Sequence, residues 1–162
     1  ILELDEAAVK LTNKKIIYVL NSGGRPTASD AARLLATQSA QTGRNVVLCD
    51  TTGQSEKEIN DKPISNQSGL PIVSMGENIC FMTGADGGSF FTSTSFNSTI
   101  KDLTDRFDKV FVCSSYKNAQ LGLMALAEYV PGLVVISGLR KTRKFDIKNI
   151  KTRYPIDLLL YD

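Results

Sequence analysis

The stretch Lys15–Asp50, KIIYVLNSGGRPTASDAARLLATQSAQTGRNVVLCD, decides the fold. Its first run, KIIYVLN over Lys15–Asn21, is too uniformly apolar for a strand with one wet face, so it reads as a strand covered on both sides. A polar turn containing Gly23, Gly24 and Pro26 follows. From about Ser29 to Gln41 apolar positions recur at helical spacing until Gly43 stops the pattern. A second buried strand, VVLCD over Val46–Asp50, completes a strand–helix–strand unit. Such a unit pairs its strands in parallel, because the helix carries the chain back to the starting edge of the sheet.

Working outward, the same alternation continues. Positions 51–69 are polar and turn-rich and are expected to be irregular and the most exposed part of the chain. IVSM (Ile72–Met75) and NICFM (Asn78–Met82) are short strands. GADGGSFFTSTS, positions 84–95, reads as a flexible loop holding an aromatic pair. Phe96, Ile100, Leu103 and Phe107 lie at helical spacing and predict a helix over Ser95–Phe107. KVFVC, a helix over about Ala119–Tyr129, LVVIS, a basic helix over about Phe145–Arg153 and IDLLLY complete the pattern, and LDEAAVKL near the start is at most a short helix. The expected class is α/β: a doubly wound, mostly parallel sheet with helices on both faces, a Rossmann-type three-layer sandwich. The whole of 1–162 forms a single domain of ordinary size.

Composition narrows the chemistry. The 162 residues contain no histidine, which removes Ser-His-Asp triads, imidazole acid–base catalysis and His-ligated metals together. Cys49, Cys80 and Cys113 lie in apolar runs without a Cys-x-x-Cys spacing and read as reduced, buried thiols of a reducing compartment. The apolar stretch from Leu121 to Leu139 is interrupted by Glu128 and Pro131 and is too short to span a bilayer. The first residue is Ile and no signal-like segment follows, so the chain is expected to be a fragment of a longer, membrane-anchored protein.

In this fold class ligands sit at the carboxyl ends of strands, and the turn from the first strand to the first helix holds phosphates on backbone amides. NSGGRPTASD occupies that place, yet G-x-x-x-x-G-K-[ST] is absent from it. Together with the later strands, this stretch resembles the cytoplasmic P-loop domains of bacterial tyrosine autokinases and polysaccharide chain-length determinants, relatives of the deviant-P-loop partitioning ATPases. Their pattern is a strand, a loop like S-x-x-P-x-x-G-K-[ST] and a helix beginning N-L-A. Anchored on Pro26, the family glycine falls on Ser29, the lysine on Asp30 and the hydroxyl residue on Ala31. RLLATQSAQTGRNVVLCD is similar to N-L-A-x-x-x-A-x-x-G-x-x-V-L-L-I-D. The family's D-x-D corresponds to Asp50-Thr51-Thr52, and its F-D-x-V-I-I-D-x-P-P to Phe107–Ser115, with Cys113 at the metal-positioning aspartate.

The resemblance implies a P-loop NTPase-like fold, a vestigial nucleotide site at Gly23, Gly24, Pro26, Ser29, Asp30, Ala31, Asp50 and Cys113, and no catalytic residue. In intact members the lysine neutralises phosphates while a hydroxyl and an aspartate hold Mg²⁺, so transfer runs on electrostatic stabilisation. Asp30 reverses the sign: a carboxylate about 4 Å from a phosphate charge costs about 4 kcal/mol at an effective dielectric near 20. ATP and Mg²⁺ are therefore not expected as cofactors, and no metal site is expected. Thr27-x-x-Asp30 instead approximates a capping box, in which Asp30 takes the electrostatic place of the missing phosphate at the helix start. Asp50 is expected as a strand-end turn residue rather than a cation ligand. Without a histidine to activate it, Cys113 is an inert thiol.

Charge is unevenly placed. Arg140, Lys141, Arg143, Lys144, Lys148, Lys151 and Arg153 face only Asp146 between positions 140 and 155, a local +6 that leaves −4 for the rest of a chain whose total is +2. This segment is a solvated helix face or a surface for anionic lipid headgroups or an acidic partner. No nucleic-acid partner is expected, since no stacking platform or reading helix accompanies the charge. The resemblance implies a non-catalytic cytoplasmic module at the inner membrane of a bacterium, serving lipopolysaccharide or exopolysaccharide chain-length control and oligomerising through its parent protein. The alternatives are a divergent nucleotide-binding kinase or ATPase and a partitioning-type adaptor that binds membrane or DNA through the basic helix.

Overall fold

Uninterrupted apolar runs can be buried only where both faces of a sheet are covered, and the central strands follow that rule residue by residue. The computed structural model describes residues 11, 13–21, 28–52, 72–82, 87–137 and 158–161. In chain order its elements are β1 (Ile16–Asn21), α1 (Ala28–Gln41), β2 (Val46–Asp50), β3 (Ile72–Gly76), β4 (Ile79–Met82), α2 (Gly87–Thr92), α3 (Phe96–Arg106), β5 (Lys109–Ser114), α4 (Ala119–Leu126), β6 (Gly132–Ser137) and β7 (Leu158–Tyr161). They build a seven-stranded sheet of order β3-β4-β2-β5-β1-β6-β7. All neighbouring pairs are parallel except β3 with β4, a hairpin that puts one antiparallel strand at the edge. Every residue of β1, β2 and β5 is buried.

The two faces carry separate cores. Ala32, Leu35, Ala36 and Ala40 of α1 pack with Val19, Leu48, Phe111 and Val134 on one side. The small alanines let the helix approach the sheet closely, and Gly43, at φ +88°, ends it by donating its amide to the Ala40 carbonyl at 3.0 Å. On the other side Tyr18, Val47, Cys49, Val112 and Val135 meet Phe91, Phe96, Ile100, Leu103 and Leu123 of α2, α3 and α4. With helices on both faces, the doubly wound, mostly parallel architecture is the expected one. A Cβ built on Gly122 of α4 would lie 2.1 Å from the Tyr18 hydroxyl oxygen, so only glycine fits there. That hydroxyl shares a 2.5 Å hydrogen bond with Ser114.

Three local expectations change. Part of the glycine-rich 84–95 stretch is a helix, α2, because Phe90 and Phe91 anchor it: their rings lie 5.4 Å apart, and Phe91 is 6.0 Å from Tyr18 and 6.1 Å from Phe96. Burial of Phe91 and partial burial of Phe90 outweigh the poor helix propensity of Gly87 and Gly88. Helix α4 is shorter than its periodicity suggests, entered through a 3₁₀ turn at Tyr116–Asn118 and left through another at Ala127–Tyr129. Thr51, placed by its polar neighbours in an exposed segment, is buried. Positions 53–69 of that segment, the N-terminal stretch up to position 10 and the basic stretch from Arg140 to Arg153 lie outside the described residues.

Candidate functional site

The carboxyl ends of β1, β2 and β5 converge beside the start of α1, where a doubly wound sheet places its ligands. Asp50 is the last residue of β2 and is 2% exposed. Ser29, in the first turn of α1, is also buried and donates its hydroxyl to Asp50 Oδ2 at 2.5 Å. The other carboxylate oxygen accepts the Thr52 backbone amide at 2.8 Å and the Thr52 hydroxyl at 2.5 Å. The amide contact is an Asx turn of the kind that lets an aspartate end a strand, as expected from its position. The Ser29 contact goes further, because it joins the helix start to the strand end.

Cys113 is the register partner of Asp50 on β5 and belongs to the core face that α1 covers. Burial, the Asp50 charge and a hydrogen bond to the Asp50 side chain push its thiol well above the ordinary range, so Cys113 is a protonated donor rather than a thiolate. Cys49 points to the opposite core, where burial first and the Asp50 charge second raise it to about 12. Thr51 closes the floor of the site. Its amide and hydroxyl donate to the Cys113 carbonyl at 3.0 and 2.8 Å, and its own carbonyl accepts the Gly87 amide at 3.1 Å. The Gly87 backbone, at φ +32°, comes so near that a Cβ there would meet Asn118 Nδ2 at 2.9 Å.

Of the positions singled out in the sequence, Ser29, Asp50 and Cys113 therefore meet, with Thr52 added to them. Asp30 is exposed in the first turn of α1, and Ala31 is buried against the sheet. Gly23, Gly24 and Pro26 lie outside the described residues, as does Thr27, the partner of Asp30 in the expected capping box. The Ser29–Asp50 bond, the Thr51 stitching and the role of Gly87 were not read from the sequence. The pairing of an apolar-helix serine with a strand-end aspartate carries no periodic signal, since its two halves are joined only by the crossover.

An Mg²⁺ ion does not fit this donor set. Hard cations take several carboxylate, carbonyl or water oxygens, whereas here one carboxylate already accepts three hydrogen bonds beside a neutral threonine and a soft, protonated thiol. Among the described residues no group of three or more carboxylates and thiols is arranged to hold a metal.

No family model and no curated protein matches the chain. Among solved structures it is similar to the VpsO kinase domain, aligned over 99% of this chain and 96% of that one at 13% identity with a TM-score of 0.73. It is also similar to the kinase domain of the Escherichia coli tyrosine kinase ETK, over 93% and 68% of the two chains, at 11% identity and a TM-score of 0.70. The fold is that of these kinase domains. A more distant likeness is to a nucleotide-binding protein from Archaeoglobus fulgidus solved with ADP, over 96% and 68% of the chains at 17% identity and a TM-score of 0.59. On this kinase-type fold the strand-end carboxylate of β2 is turned inward to a serine, a threonine and a cysteine. Among the described residues no helix is long and apolar enough to cross a membrane.

Proposed function

We propose that this domain is a non-catalytic relative of the bacterial tyrosine autokinase and chain-length determinant domains, a pseudo-kinase that serves as an interaction and oligomerisation module in the assembly of cell-surface polysaccharide. One observation carries the reading: at the place where the family handles phosphate and metal, the Asp50 carboxylate is bonded to the hydroxyls of Ser29 and Thr52 beside the buried Cys113 thiol. An internally satisfied polar cluster has nothing left to offer a Mg²⁺-triphosphate, and opening it costs the desolvation of each group it contains. Asp30, exposed where the family lysine stands, adds repulsion to an incoming phosphate. In this reading the domain sits on the cytoplasmic face of the inner membrane and oligomerises through its parent. Arg140–Arg153 would then face anionic lipid or an acidic neighbour.

Calorimetric titration with Mg-ATP and Mg-ADP tests the reading, with no binding heat expected. Micromolar, Mg²⁺-dependent affinity would overturn it in favour of a divergent nucleotide-binding kinase or ATPase. A quintuple variant carrying Ser29→Gly, Asp30→Lys, Ala31→Thr, Thr52→Asp and Cys113→Asp restores the family chemistry and is expected to gain nucleotide affinity. The parent chain, cross-linked in membranes, is expected to give a ladder of oligomers that survives Asp50→Asn, because assembly does not use the cluster chemically.

A further inference from the structure

Cations gather at the opposite end of the sheet. The chain enters β1 through a turn in which the Lys14 amide donates to the Leu11 carbonyl at 3.1 Å. Lys109, the first residue of β5, runs beneath that turn with its side chain buried. Its ammonium donates to the Leu11 carbonyl at 2.7 Å and to the Lys14 carbonyl. Leu11 itself is buried over β6, so close that a Cβ on Gly132 would meet its Cδ2 at 2.6 Å and Lys14 Cγ at 3.2 Å. The turn is held by packing from one side and by a buried cation from below.

Beside this clamp opens a cavity of about 420 Å³ lined by Asn13, Lys14, Lys15, Arg44, Asp108 and Lys109. Four of these side chains are cationic and one is a carboxylate, and Asp108 Oδ2 is already engaged by the Asn45 backbone amide at 2.8 Å. Burial, and after it the charge of Arg44, lower the Lys109 ammonium to about 8. Like charges thus converge on one solvent-filled space from three separate parts of the chain: the turn before β1, the α1–β2 connection and the start of β5. Nothing in the kinase-like end of the fold requires them there, and a bound anion relieves their mutual repulsion.

We propose that this cavity binds a phosphate-class oxyanion, free or carried on a lipid headgroup, through Lys14, Lys15 and Arg44, with the buried Lys109 adding its charge from beneath. A guanidinium offers paired N–H donors that match phosphate oxygens, and the lysines add point charges around them. Asn13 supplies a neutral donor at the rim. Because Lys14 and Lys109 also hold the turn, an occupied cavity fastens the entry of the chain more tightly to the sheet. The site lies at the amino ends of the strands and does not depend on whether nucleotide binds at the carboxyl ends.

The experiment uses the full chain with two probes: inorganic phosphate, followed by amide chemical shifts and melting temperature, and vesicles of phosphatidylcholine with or without phosphatidylglycerol, followed by co-sedimentation. Phosphate is expected to shift the amides of residues 13–15, 44 and 109 and to raise the melting temperature. The Arg44→Gln/Lys15→Gln double variant, changed at the cavity rim away from the core, is expected to weaken binding by about tenfold, roughly 1.4 kcal/mol. Raising salt weakens it further as the screening length falls from about 30 Å at 0.01 M to about 8 Å at 0.15 M. Phosphate binding without vesicle binding assigns a free ligand, while vesicle binding that requires phosphatidylglycerol and is lost in the double variant assigns a headgroup. Neither probe binding, or both binding equally in the double variant and the wild type, overturns the proposal.

Discussion

At the carboxyl ends of β2 and β5 one carboxylate, Asp50, is enclosed by two hydroxyls, an amide and a thiol, whereas at the amino ends of the same strands four cations stand around an open cavity. The first arrangement satisfies a buried charge internally and so contributes to stability. The second buries one cation, Lys109, against two backbone carbonyls and gathers Lys14, Lys15 and Arg44 around a cavity beside it. The two ends of one sheet can thus carry opposite electrostatics, because each end answers to its own few side chains rather than to the fold.

The sharpest way to break this contrast is Asp50→Ala, which strands the Ser29 hydroxyl and both Thr52 donors. A loss of roughly 3 kcal/mol is expected in chemical denaturation, since each buried donor left unsatisfied costs about 1–3 kcal/mol and they share one site. A loss below about 1 kcal/mol would mean that the cluster is solvated and the contrast false. Ser29→Ala removes one of the three bonds and is expected to cost about 1.5 kcal/mol, with the Asp50 charge left in place.

A smaller effect separates the cationic end. The folded Lys109 pKa of about 8 lies below the ordinary lysine value near 10.5. Between those two values the unfolded chain binds more protons than the folded one, so stability is expected to rise as pH goes from about 8 to about 10.5. The rise reports relief of the burial cost and of repulsion by Arg44, with Lys14, Lys15 and Asp108 as the other charges around the cavity, and Lys109→Met is expected to abolish it in a pH series of melts. Arg44→Gln, at the rim, is expected to leave stability within about 0.5 kcal/mol while weakening phosphate binding. Thiol labelling gives the finest comparison. The half-buried Cys80 is expected to react first with an aromatic disulfide, and Cys49 and Cys113 only as the chain unfolds.

Much of the fold could be read from spacing because each element declares itself locally. The unbroken apolar runs of β1, β2 and β5, the helical period ending at Gly43 and the set Phe96, Ile100 and Leu103 are statements about nearest neighbours, and all became buried elements. Helix α2 is illegible in the sequence because its glycines argue against a helix, whereas the ring contacts that hold it, to Phe96 of the next helix and to Tyr18 far away in sequence, need the folded chain. The candidate site was half legible. The family resemblance picked out Ser29, Asp50 and Cys113, but not that Ser29 would bond to Asp50. At the head of KVFVC, Lys109 is a lone cation opening an apolar strand next to Asp108, a signal detectable in the sequence.

Residue identity and spacing alone establish that strands and helices alternate along the chain and that it contains no histidine, because identity and short-range period are local properties. Which side chains meet at the two ends of the sheet depends on the three-dimensional arrangement. Crossovers bring Ser29 to Asp50 and Asp50 to Cys113 at one end of the sheet, and Arg44 to Lys109 and Lys14 at the other. Hydrogen bonds and charges act over a few ångströms of space, whatever the number of residues between them.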